Sequence, residues 1–456
     1  MKPRMSSLNE VELAGWGLYP RVKSHLVEPE SEGDVRAALD AAGTIARGLG
    51  RSYGDPAINS HRTVLGMTRL DRVLSFDEAT GVVRCEAGVS LSTLIDEFAP
   101  RGWFPMITPG TRWVTVGGCI ANDVHGKAHH AQGSFLESVV SMRLLLASGE
   151  VLTLSREQHP ELFFVNFGGL GLLGVILDVE LQLRKVSTTF FKQQSFEARD
   201  LDELLALIAE YDAKFPYSVA SINPLATGAR LGTGVLTVGD HAQPDELPKK
   251  FVREPLRTCG APLTDVPFEL PELTLNPLTL RVVHSVIRQV MLRGAPVVHA
   301  DNFFYPLDVL LGEWNRGYGR RGFTQYQFVI PRADGPKNLR TLLTTIVEAN
   351  HLPSLNVLKR MGPANAAPLS FPMDGFTLAI DFPVQPTTAA LAHRLDAMVV
   401  DMGGRIYLGK DAFLEPHSFN AMYPRHVEFR ALKQRVDPNE VFTSDLSRRI
   451  GLTAAR

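Results

Sequence analysis

The spacing of hydrophobic residues near the start of the chain alternates between helical and strand periods. Ser31 and Asp34 resemble a capping box. Val35 and the apolar residues after it keep helical spacing, which predicts a helix that ends before Gly43. Ser90 predicts the start of a second helix. The expected apolar face of that helix is formed by Leu91, Leu94, Ile95 and Phe98.

Strand patterns lie between and after these helices. Residues 44–46 are expected to start one strand and residues 82–86 to form another. Residues 139–146 and 151–154 flank a turn sequence, which predicts a hairpin. Helices and strands therefore mix in an α+β pattern, and we place the end of this first domain at residue 186. Its last strand is expected to be half-buried because alternate positions are apolar, namely Val175, Leu177, Val179, Leu181 and Leu183.

Residues 187–404 repeat the mixture and are interpreted as a second domain, followed by a C-terminal segment over residues 405–456. Residues 262–277 are rich in Pro and Leu, which predicts a long loop. An apolar stripe with interspersed arginines then predicts a helix that faces either a membrane or its own domain, and we favour the second. The stripe consists of Leu280, Val283, Ile287, Val290 and Met291, with Arg281, Arg288 and Arg293 elsewhere on the helix.

Composition and charge describe an ordinary globular protein. The 456 residues are 45% hydrophobic and 21% charged, with a formal net charge of -2, and this balance argues against a nucleic-acid partner. Cys85, Cys119 and Cys259 form no C-x-x-C pair, so we expect buried free thiols and no metal site. The sequence shows neither a signal peptide nor a run of roughly 18 apolar residues. We expect a cytoplasmic protein, with peripheral contact at the inner membrane left open.

Three glycine-rich segments carry the candidate chemistry. They span residues 47–55, 109–127 and 167–174, and the first follows a predicted strand. Glycines let backbone N–H groups turn towards an anion such as a pyrophosphate. The small residues and hydroxyl groups of the second segment suit a large planar cofactor. One such segment is a weak signal because glycine-rich turns are common, but three in this order are a strong one.

In this order the segments resemble the FAD-binding domain of the vanillyl-alcohol-oxidase superfamily, the PCMH type, in which two small α+β subdomains hold FAD. The resemblance implies a second α+β domain with an antiparallel sheet, which binds substrate. It also implies that the C-terminal segment returns to the FAD domain and the active site.

The resemblance extends to the expected cofactor contacts. Many members of the superfamily attach the flavin through a histidine in the first segment, whereas Arg51 occupies that place here. Dissociable FAD is therefore expected. The implied FAD-binding residues are Arg47, Gly48, Leu49, Gly50, Arg51, Ser52, Tyr53, Gly110, Thr111, Val116, Gly117, Gly118, Ala121, Asn122, His125, Gly126, Gly174, Val175 and Tyr407.

Longer stretches narrow the resemblance to the decaprenylphosphoryl-ribose oxidase family, over nearly the whole chain. These stretches are residues 46–55, 109–127, 312–316, 325–331 and 367–372. The resemblance implies that flavin oxidises the 2'-hydroxyl of a polyprenyl-phosphate-linked ribose to a ketone. It further implies a separate NADH-dependent reductase that completes epimerisation to the arabinose, for cell-wall arabinan.

The same resemblance indicates the catalytic residues. Lys410 stands where the family has an essential lysine, in a segment interpreted as a strand, near the flavin-contacting Tyr407. A buried lysine can act as a base with a lowered pKa, or as a cation that stabilises reduced flavin, and the sequence leaves both open. His125 is expected beside the flavin and the sugar. Tyr53 matches a family tyrosine near both.

Four residues of the second domain are assigned to substrate. Gln325 and Gln327 alternate with aromatic residues, so both amides are expected on one face of a strand, lining the sugar pocket. Lys359 matches a family lysine suited to the substrate phosphate. Thr377 stands where mycobacterial members have asparagine, and Ala379 where they have cysteine. A thiol at position 379 is therefore not required, and the asparagine difference bears on the identity of the sugar.

Two other functions are alternatives to oxidation of a lipid-linked ribose. A soluble sugar or aldonolactone oxidase of the same superfamily also has a glycine-lysine pair like Gly409-Lys410. It would use dioxygen and a free sugar, but the histidine of covalent attachment is missing here. The other is a flavin-binding scaffold that partners a reductase without chemistry of its own, which the presence of His125, Lys359 and Lys410 argues against.

Overall fold

The computed structural model describes residues 10–258 and 262–454. Its first sheet is built from β1 (Glu10–Ala14), β2 (Arg21–Val27), β3 (Thr44–Arg47) and β4 (Thr63–Gly66). The strand order is β1-β2-β4-β3. β1 and β2 are antiparallel, whereas β4 is parallel to both β2 and β3. The first glycine-rich segment therefore leaves the sheet at the end of β3.

The second sheet contains the predicted hairpin and the long strand before residue 186. Its strands are β5 (Val73–Asp77), β6 (Val82–Glu86), β7 (Trp103–Pro105), β8 (Val139–Leu145), β9 (Val151–Ser155) and β10 (Val175–Lys185). They follow the order β5-β6-β10-β8-β9, with β7 pairing β10. β10 is therefore central, and its first five residues are all buried. The half-buried pattern predicted for β10 is wrong over this half, because neighbouring elements cover both of its faces.

The third sheet is the largest. Together with the small pair β14–β16, its strands complete the set: β11 (Phe190–Ala198), β12 (Tyr217–Ile222), β13 (Gly234–His241), β14 (Thr264–Asp265), β15 (Val297–His299), β16 (Leu311–Gly312), β17 (Phe323–Pro331), β18 (Asn356–Met361), β19 (Gly375–Pro383) and β20 (Arg405–Ile406). The eight-stranded order is β15-β11-β13-β12-β18-β19-β17-β20. Every neighbouring pair in it is antiparallel. The predicted α+β fold, with an antiparallel sheet in the part of the chain after residue 186, is confirmed.

Most of the described helices are short; five have 11 residues or more, and four of those five contact the large sheet. They are α1 (Glu32–Ala37), α2 (Leu91–Phe98), α3 (Val116–Ala121), α4 (His129–Gln132), α5 (Pro160–Asn166), α6 (Leu201–Tyr211), α7 (Pro277–Leu292), α8 (Ala300–Phe304), α9 (Pro306–Leu310), α10 (Gly335–Glu348), α11 (Thr388–Asp401), α12 (Pro416–Met422), α13 (His426–Val436) and α14 (Asp445–Arg449). α2 begins after Ser90, whose hydroxyl accepts from the backbone N–H of Thr93, and its predicted apolar face is buried. Both features confirm the prediction for this helix.

α1 begins as predicted but ends early. The hydroxyl of Ser31 accepts from the backbone N–H of Asp34, yet the helix stops at Ala37 instead of reaching Gly43. Beyond the helix, the backbone N–H of Asp40 donates to Thr44 Oγ1 at 3.0 Å, and the carboxylate of Asp40 accepts from the backbone N–H of Ala42. Such side-chain bonds to the backbone compete with helix formation. The predicted length was therefore wrong.

The alternation of side chains along β17 gives the large sheet two different faces. Tyr326, Phe328 and Ile330 belong to the main hydrophobic core, together with apolar residues of α6, α10 and α11. Gln325 and Gln327 occupy the alternate positions of the strand, so they project from the opposite face. The helices cover one face, and the polar face is left for the glycine-rich segments.

The C-terminal segment contacts both the large sheet and the first sheet. β20 pairs with β17, and the backbone N–H of Thr44 donates to the carbonyl of Val441 at 2.7 Å. Arg449 binds the carboxylates of Asp55 at 2.7 Å and Asp411 at 2.9 Å. The domain limits at residues 186 and 404 stay predictions, with β10 ending at Lys185 and β11 beginning at Phe190.

Helix α7 differs from the expectation of a helix buried on its own domain. It contacts β11 and β13, but Leu280 is the buried residue of its apolar stripe, while Val283 and Val290 are exposed. The turn of the helix around Leu280 packs against the protein, whereas the later turns lie largely at the surface. The preceding residues 262–277 form a loop with only short elements, as predicted. Within residues 10–258 and 262–454, no helix is both long and apolar enough to cross a bilayer.

The cysteines are placed in the core where the structure describes them. Cys85 and Cys119 are free and buried, as expected, and burial raises the pKa of Cys85 to about 12. Cys259 lies outside the described residues. The two described thiols are therefore held in their neutral, unreactive form.

Candidate active site

A row of polar side chains on the open face of the large sheet forms the floor of the site. In the antiparallel pair β17–β19, Gln325 lies directly opposite Asp381. On the other side of β19, Lys359 of β18 lies opposite Thr377. Gln327 of β17 adds its amide beside Thr377, to which its Nε2 donates at 3.1 Å. Residues at alternate positions of three adjacent strands thus meet on one face.

Lys410 closes this row from the C-terminal segment. The predicted strand there is limited to Arg405–Ile406, and a 3-10 turn over Leu408–Lys410 follows. Lys410 Nζ donates to Gln325 Oε1 and lies 5.4 Å from the ring centroid of Tyr53. Burial and the charge of Lys359 lower the pKa of Lys410 to about 7. Its amine is therefore neutral in a substantial fraction of molecules near neutral pH.

His125 lies at the opposite end of the row. Its ring stacks on Phe371 with the centroids 5.4 Å apart, and its Nε2 is 3.0 Å from Nε2 of Gln327. Burial and the charge of Lys359 hold the pKa of His125 well below its usual range, so the ring is neutral. Since the amide nitrogen of Gln327 donates, Nε2 of His125 accepts, and the ring proton belongs on Nδ1.

Two polar atoms beside this contact have no partner within the described residues. They are Nδ1 of His125 and Oε1 of Gln327, and both are buried. With the proton on Nδ1, the pair presents one donor and one acceptor. A hydroxyl group can accept from the donor or donate to the acceptor. Buried polar atoms in this state are costly unless a ligand binds them.

Tyr53 and Arg51 of the first glycine-rich segment lie on an aromatic wall. The Tyr53 ring meets Phe323 edge-on, with centroids 5.4 Å apart, and burial together with nearby carboxylates raises the pKa of its phenol well above the usual value. The guanidinium of Arg51 lies 3.8 Å over the ring of Trp16. The position to which the superfamily resemblance assigns covalent flavin attachment thus holds a stacked arginine.

Two further lysines give the site a positive charge. Lys359 Nζ donates to the carbonyl of Gly126 at 3.2 Å, and Lys127 donates to the backbone carbonyls of Phe303 and Phe304. Burial lowers the pKa of Lys359 to about 8 and that of Lys127 to about 7. Both are held by carbonyl groups rather than by a carboxylate, so an anionic ligand nearby would stabilise their charged forms.

Several of the expected cofactor glycines are required by packing. A Cβ atom on Gly48 would meet Thr115 Oγ1 at 2.2 Å, and one on Gly126 would meet the carbonyl of Thr108 at 2.4 Å. Gly48 therefore lets the first glycine-rich segment pack against Thr115 of the second, and Gly126 lets the second pack against the backbone of Thr108, at positions where a side chain would collide. Gly110 differs, because a Cβ atom there would enter open space.

Some expected cofactor residues use their side chains elsewhere. The guanidinium of Arg47 donates to the carbonyls of Ala14 at 2.7 Å and Ala57 at 3.2 Å. Thr111 Oγ1 donates to Asp308 at 2.5 Å. The side chains of Val116 and Val175 have no exposed surface and belong to the hydrophobic core. These residues can contribute their backbone to a cofactor, but their side chains brace the segments.

Two site residues escaped the sequence reasoning. Asp123 in the second glycine-rich segment is fully buried and accepts from Asn365 Nδ2 at 2.6 Å and from the hydroxyl of Ser370. It thereby ties that segment to residues 365–370. Asp381 is equally buried. A buried acidic residue in an apolar strand is a readable signal, since Asp is rarely buried without a partner.

The residues present fit FAD. Arg51 Nε and Asn122 Oδ1 are buried atoms that have no partner within the described part of the chain, and they belong to the first two glycine-rich segments. The part-buried lysines of the site would supply positive charge for a pyrophosphate or a reduced flavin. Bound FAD supplies the acceptor for a hydride.

Comparison with known proteins decides the family. The chain is 38% identical over 449 residues to decaprenylphosphoryl-beta-D-ribose oxidase of Mycolicibacterium smegmatis, and the alignment covers 96% of this chain and 97% of that protein. The chain belongs to the decaprenylphosphoryl-β-D-ribose oxidase family. A family model described as FAD binding domain matches residues 24–155, and one described as D-arabinono-1,4-lactone oxidase matches residues 320–450. This member of the family is an FAD-dependent oxidoreductase.

Two other relatives extend the comparison. An uncharacterized protein in the mprA 5' region of Streptomyces coelicolor is 36% identical, over 80% of this chain and 100% of that protein. The L-gulono-1,4-lactone dehydrogenase of Mycobacterium tuberculosis is 26% identical, over 94% of this chain and 96% of that protein. The similarity to this sugar-lactone dehydrogenase thus extends over nearly the whole of both chains, at lower identity.

Proposed function

We propose that the protein oxidises the 2'-hydroxyl of a polyprenylphosphoryl-β-D-ribose to the 2'-ketone, with FAD as hydride acceptor. The observation that carries this proposal is the near full-length similarity to an enzyme named for the oxidation of that ribose. The site supports it with a buried donor on His125 and a buried acceptor on Gln327 that have no partner among the described residues. Dissociable FAD is part of the proposal, because Arg51 stands at the usual attachment position.

Each of the polar groups has a role in this reaction. The ribose hydroxyl accepts from Nδ1 of His125 and donates to Oε1 of Gln327 or to the neutral amine of Lys410. Oxidation removes a hydride from C2' and the hydroxyl proton, so a proton acceptor is needed as well as a hydride acceptor. Lys410, with its pKa lowered to about 7 by burial and Lys359, can take that proton. As an ammonium it would equally stabilise a reduced, anionic flavin.

The remaining substrate contacts follow from charge. Lys359 is suited to the substrate phosphate, because it is a flexible cation whose present partner is a backbone carbonyl. Gln325 and Thr377 complete the floor of the sugar pocket, but the hydroxyl of Thr377 accepts from Gln327. We assign Thr377 the positioning of that amide.

The product implies a partner. A 2'-ketone must receive a hydride on the opposite face to become the arabinose epimer. The proposed oxidation leaves the first hydride on the flavin, so another hydride donor has to reduce the ketone. We therefore propose that a separate NADH-dependent reductase consumes the ketone, so that the two enzymes together epimerise the sugar.

A lipid-linked substrate also implies contact with a membrane surface, and α7 is the element we assign to it. Its exposed residues include Leu278, Val282, Val286 and Val290, beside the exposed Arg281 and Arg293. An apolar face flanked by basic residues suits an anionic lipid surface. The loop before α7 reaches the site, since Leu275 packs against the aromatic cluster around Trp16 and Tyr53.

A sugar-lactone oxidase is the second candidate. The match of residues 320–450 to the D-arabinono-1,4-lactone oxidase model favours it, as does the 26% identity to a gulonolactone dehydrogenase. A flavin-binding scaffold without chemistry is less well supported, because the pKa values of Lys410 and His125 are both lowered by burial, which favours the neutral forms that can accept a proton.

Anaerobic titration of the FAD-loaded protein separates these functions. Polyprenylphosphoryl ribose, free pentoses and aldonolactones are added in turn while the visible flavin absorbance is followed. Bleaching by the lipid-linked ribose alone is the expected result. Bleaching by the free sugar lactones would assign the second candidate, and a flavin that no sugar bleaches would favour the scaffold.

A further inference from the structure

A chain of hydrogen bonds leads from Lys410 to a buried carboxylate that the reaction above does not use. Lys410 Nζ donates to Oε1 of Gln325, and Nε2 of Gln325 donates to Oδ1 of Asp381 at 2.6 Å. The other carboxylate oxygen accepts from the hydroxyl of Tyr318 at 3.0 Å, which lies 2.7 Å from Ser354 Oγ. Asp381 has no exposed surface, so water does not screen its charge from Lys410.

The amide of Gln325 gives this chain a direction. A primary amide has one donor end and one acceptor end. When Asp381 is ionised and Lys410 is an ammonium, the amide nitrogen faces Asp381 and its oxygen faces Lys410. When the proton resides on Asp381 instead, a rotated amide can accept from the acid and donate to the neutral amine. Both protonation states are therefore hydrogen-bonded without any change in the backbone.

We propose that Asp381, acting through the amide of Gln325, is a positioning residue that sets the protonation state of Lys410. It is held there by sheet register, because Gln325 and Asp381 are direct partners in β17–β19. The inference rests on the proposed role of Lys410 in the reaction and deepens it. The chemistry stays the same, with the hydroxyl O–H bond broken and an N–H bond formed at Lys410, and Asp381 supplies the counter-charge for the ammonium.

Of the titratable groups that face Asp381, Lys410 is the one that can exchange a proton with it. Tyr318 and Tyr53 are the phenols near it, and burial raises the pKa of both well above the usual value, so both stay neutral. Lys410 is the cation that acts on the carboxylate. The positive charge of Lys359 lowers the pKa of Lys410, and the negative charge of Asp381 raises it. The two charges therefore have opposite effects on Lys410.

The acid–base properties of the pair are consistent with a shared proton. Burial raises the pKa of Asp381 to about 7, and burial with the charge of Lys359 lowers that of Lys410 to about 7. Two coupled groups of matched affinity titrate as a pair. Removing the negative charge of Asp381 should therefore lower the pKa of Lys410.

The test reads Lys410 directly and needs no turnover. The FAD-loaded protein is trace-acetylated with acetic anhydride at a series of pH values, and mass spectrometry of the peptide that contains Lys410 gives the fraction of neutral amine. In Asp381→Asn the midpoint should fall by about one pH unit, the low end of what a nearby opposite charge produces. Tyr318→Phe, which weakens ionisation of Asp381, should shift the midpoint less, in the same direction.

Asp396→Asn is the matched control. Asp396 is another buried carboxylate, it accepts from the hydroxyl of Tyr326 at 2.8 Å, and it packs on the helical side of the sheet. Its replacement should leave the midpoint unchanged. A wild-type midpoint in Asp381→Asn that still holds FAD would overturn the proposal, and so would an equal shift in the control. If Asp381→Asn does not fold, an unshifted Tyr318→Phe overturns it.

These outcomes are independent of the substrate. A protein that fails to oxidise any ribose still has a measurable Lys410 midpoint, so failure of the proposed function and failure of the Asp381 proposal give different results. Loss of sugar oxidation with a shifted midpoint would leave the Asp381 proposal standing. Sugar oxidation with an unshifted midpoint would exclude the Asp381 proposal and leave the proposed function standing.

Discussion

The ring of His125 and the amide of Gln327 meet at 3.0 Å although 202 residues separate them in the chain. The contact joins the second glycine-rich segment to the floor of the large sheet. It fixes the tautomer of His125, because the amide nitrogen donates and Nε2 must accept. The ring N–H is left facing away from that contact, where a substrate hydroxyl can accept it.

Replacing Lys410 should slow flavin reduction without loss of the cofactor. Lys410→Met keeps the aliphatic packing beside Tyr53 and removes the amine, so the rate of flavin bleaching by the lipid-linked ribose should fall by roughly 10²–10⁴, the usual contribution of a positioned acid or base. Stopped-flow absorbance measures this rate. Lys337→Met, on the exposed surface of α10, is the matched control and should bleach normally. Normal bleaching by Lys410→Met would exclude the assigned role.

The rate of flavin reduction should depend on pH near neutrality. The neutral amine of Lys410 is the proton acceptor, and its pKa is lowered to about 7 by burial and by Lys359. The neutral fraction grows as the pH rises through that value, so the rate should rise and then level off. His125 adds no step there, because its pKa lies well below. A rate that falls as the pH rises would instead assign the ammonium form of Lys410.

Lys359 should distinguish substrates that carry a phosphate. Lys359→Met should raise the KM for the lipid-linked ribose roughly tenfold to a hundredfold, because a hydrogen bond to a charged group contributes about 1.5–3 kcal/mol. Steady-state kinetics give this value. A ribose glycoside without phosphate is the control substrate, and its loss should be smaller, because it reflects only the rise in the pKa of Lys410 when the charge of Lys359 is removed. If both substrates lose equally, Lys359 acts through Lys410 or through its bond to Gly126.

The exposed face of α7 should bind an anionic bilayer. Wild-type protein should sediment with phosphatidylglycerol vesicles, and the double variant Val286→Asp, Val290→Asp should bind at least tenfold more weakly, since burying one such side chain contributes about 1.5–3 kcal/mol. Val427→Asp, at a valine that is 58% exposed on α13, is the control and should bind as wild type does. Equal binding by all three proteins would remove α7 from the interface.

Local signals explain what could be predicted from the sequence. The cap at Ser90, the hairpin of β8 and β9 and the glycine-rich segments depend on neighbours within a few residues, and all of them appear where expected. The alternation of Gln325 and Gln327 also follows from a local pattern. The fold class and the FAD-binding domain came from the resemblance that these segments carry, and the family matches support both.

The remaining features depend on strand register and on burial by elements that are distant in the sequence. Asp381 faces Gln325 only because β17 and β19 pair in one particular register across 56 residues. The burial of both faces of β10 depends on strands and helices elsewhere in the chain. Spacing alone gave α7 an apolar stripe but could not say that little would cover it. Long-range pairing of this kind leaves no mark in a short window of sequence.

Isotopic substitution of the substrate tests the central claim most directly. Polyprenylphosphoryl ribose with deuterium at C2' is mixed anaerobically with the FAD-loaded protein, and the single-turnover rate of flavin bleaching is compared with those of the unlabelled and the C3'-labelled sugars. The account predicts that the C2' label alone slows bleaching, since the bond to that hydrogen breaks in the hydride step. Slower bleaching with the C3' label, or no bleaching with any of the three sugars, would contradict it.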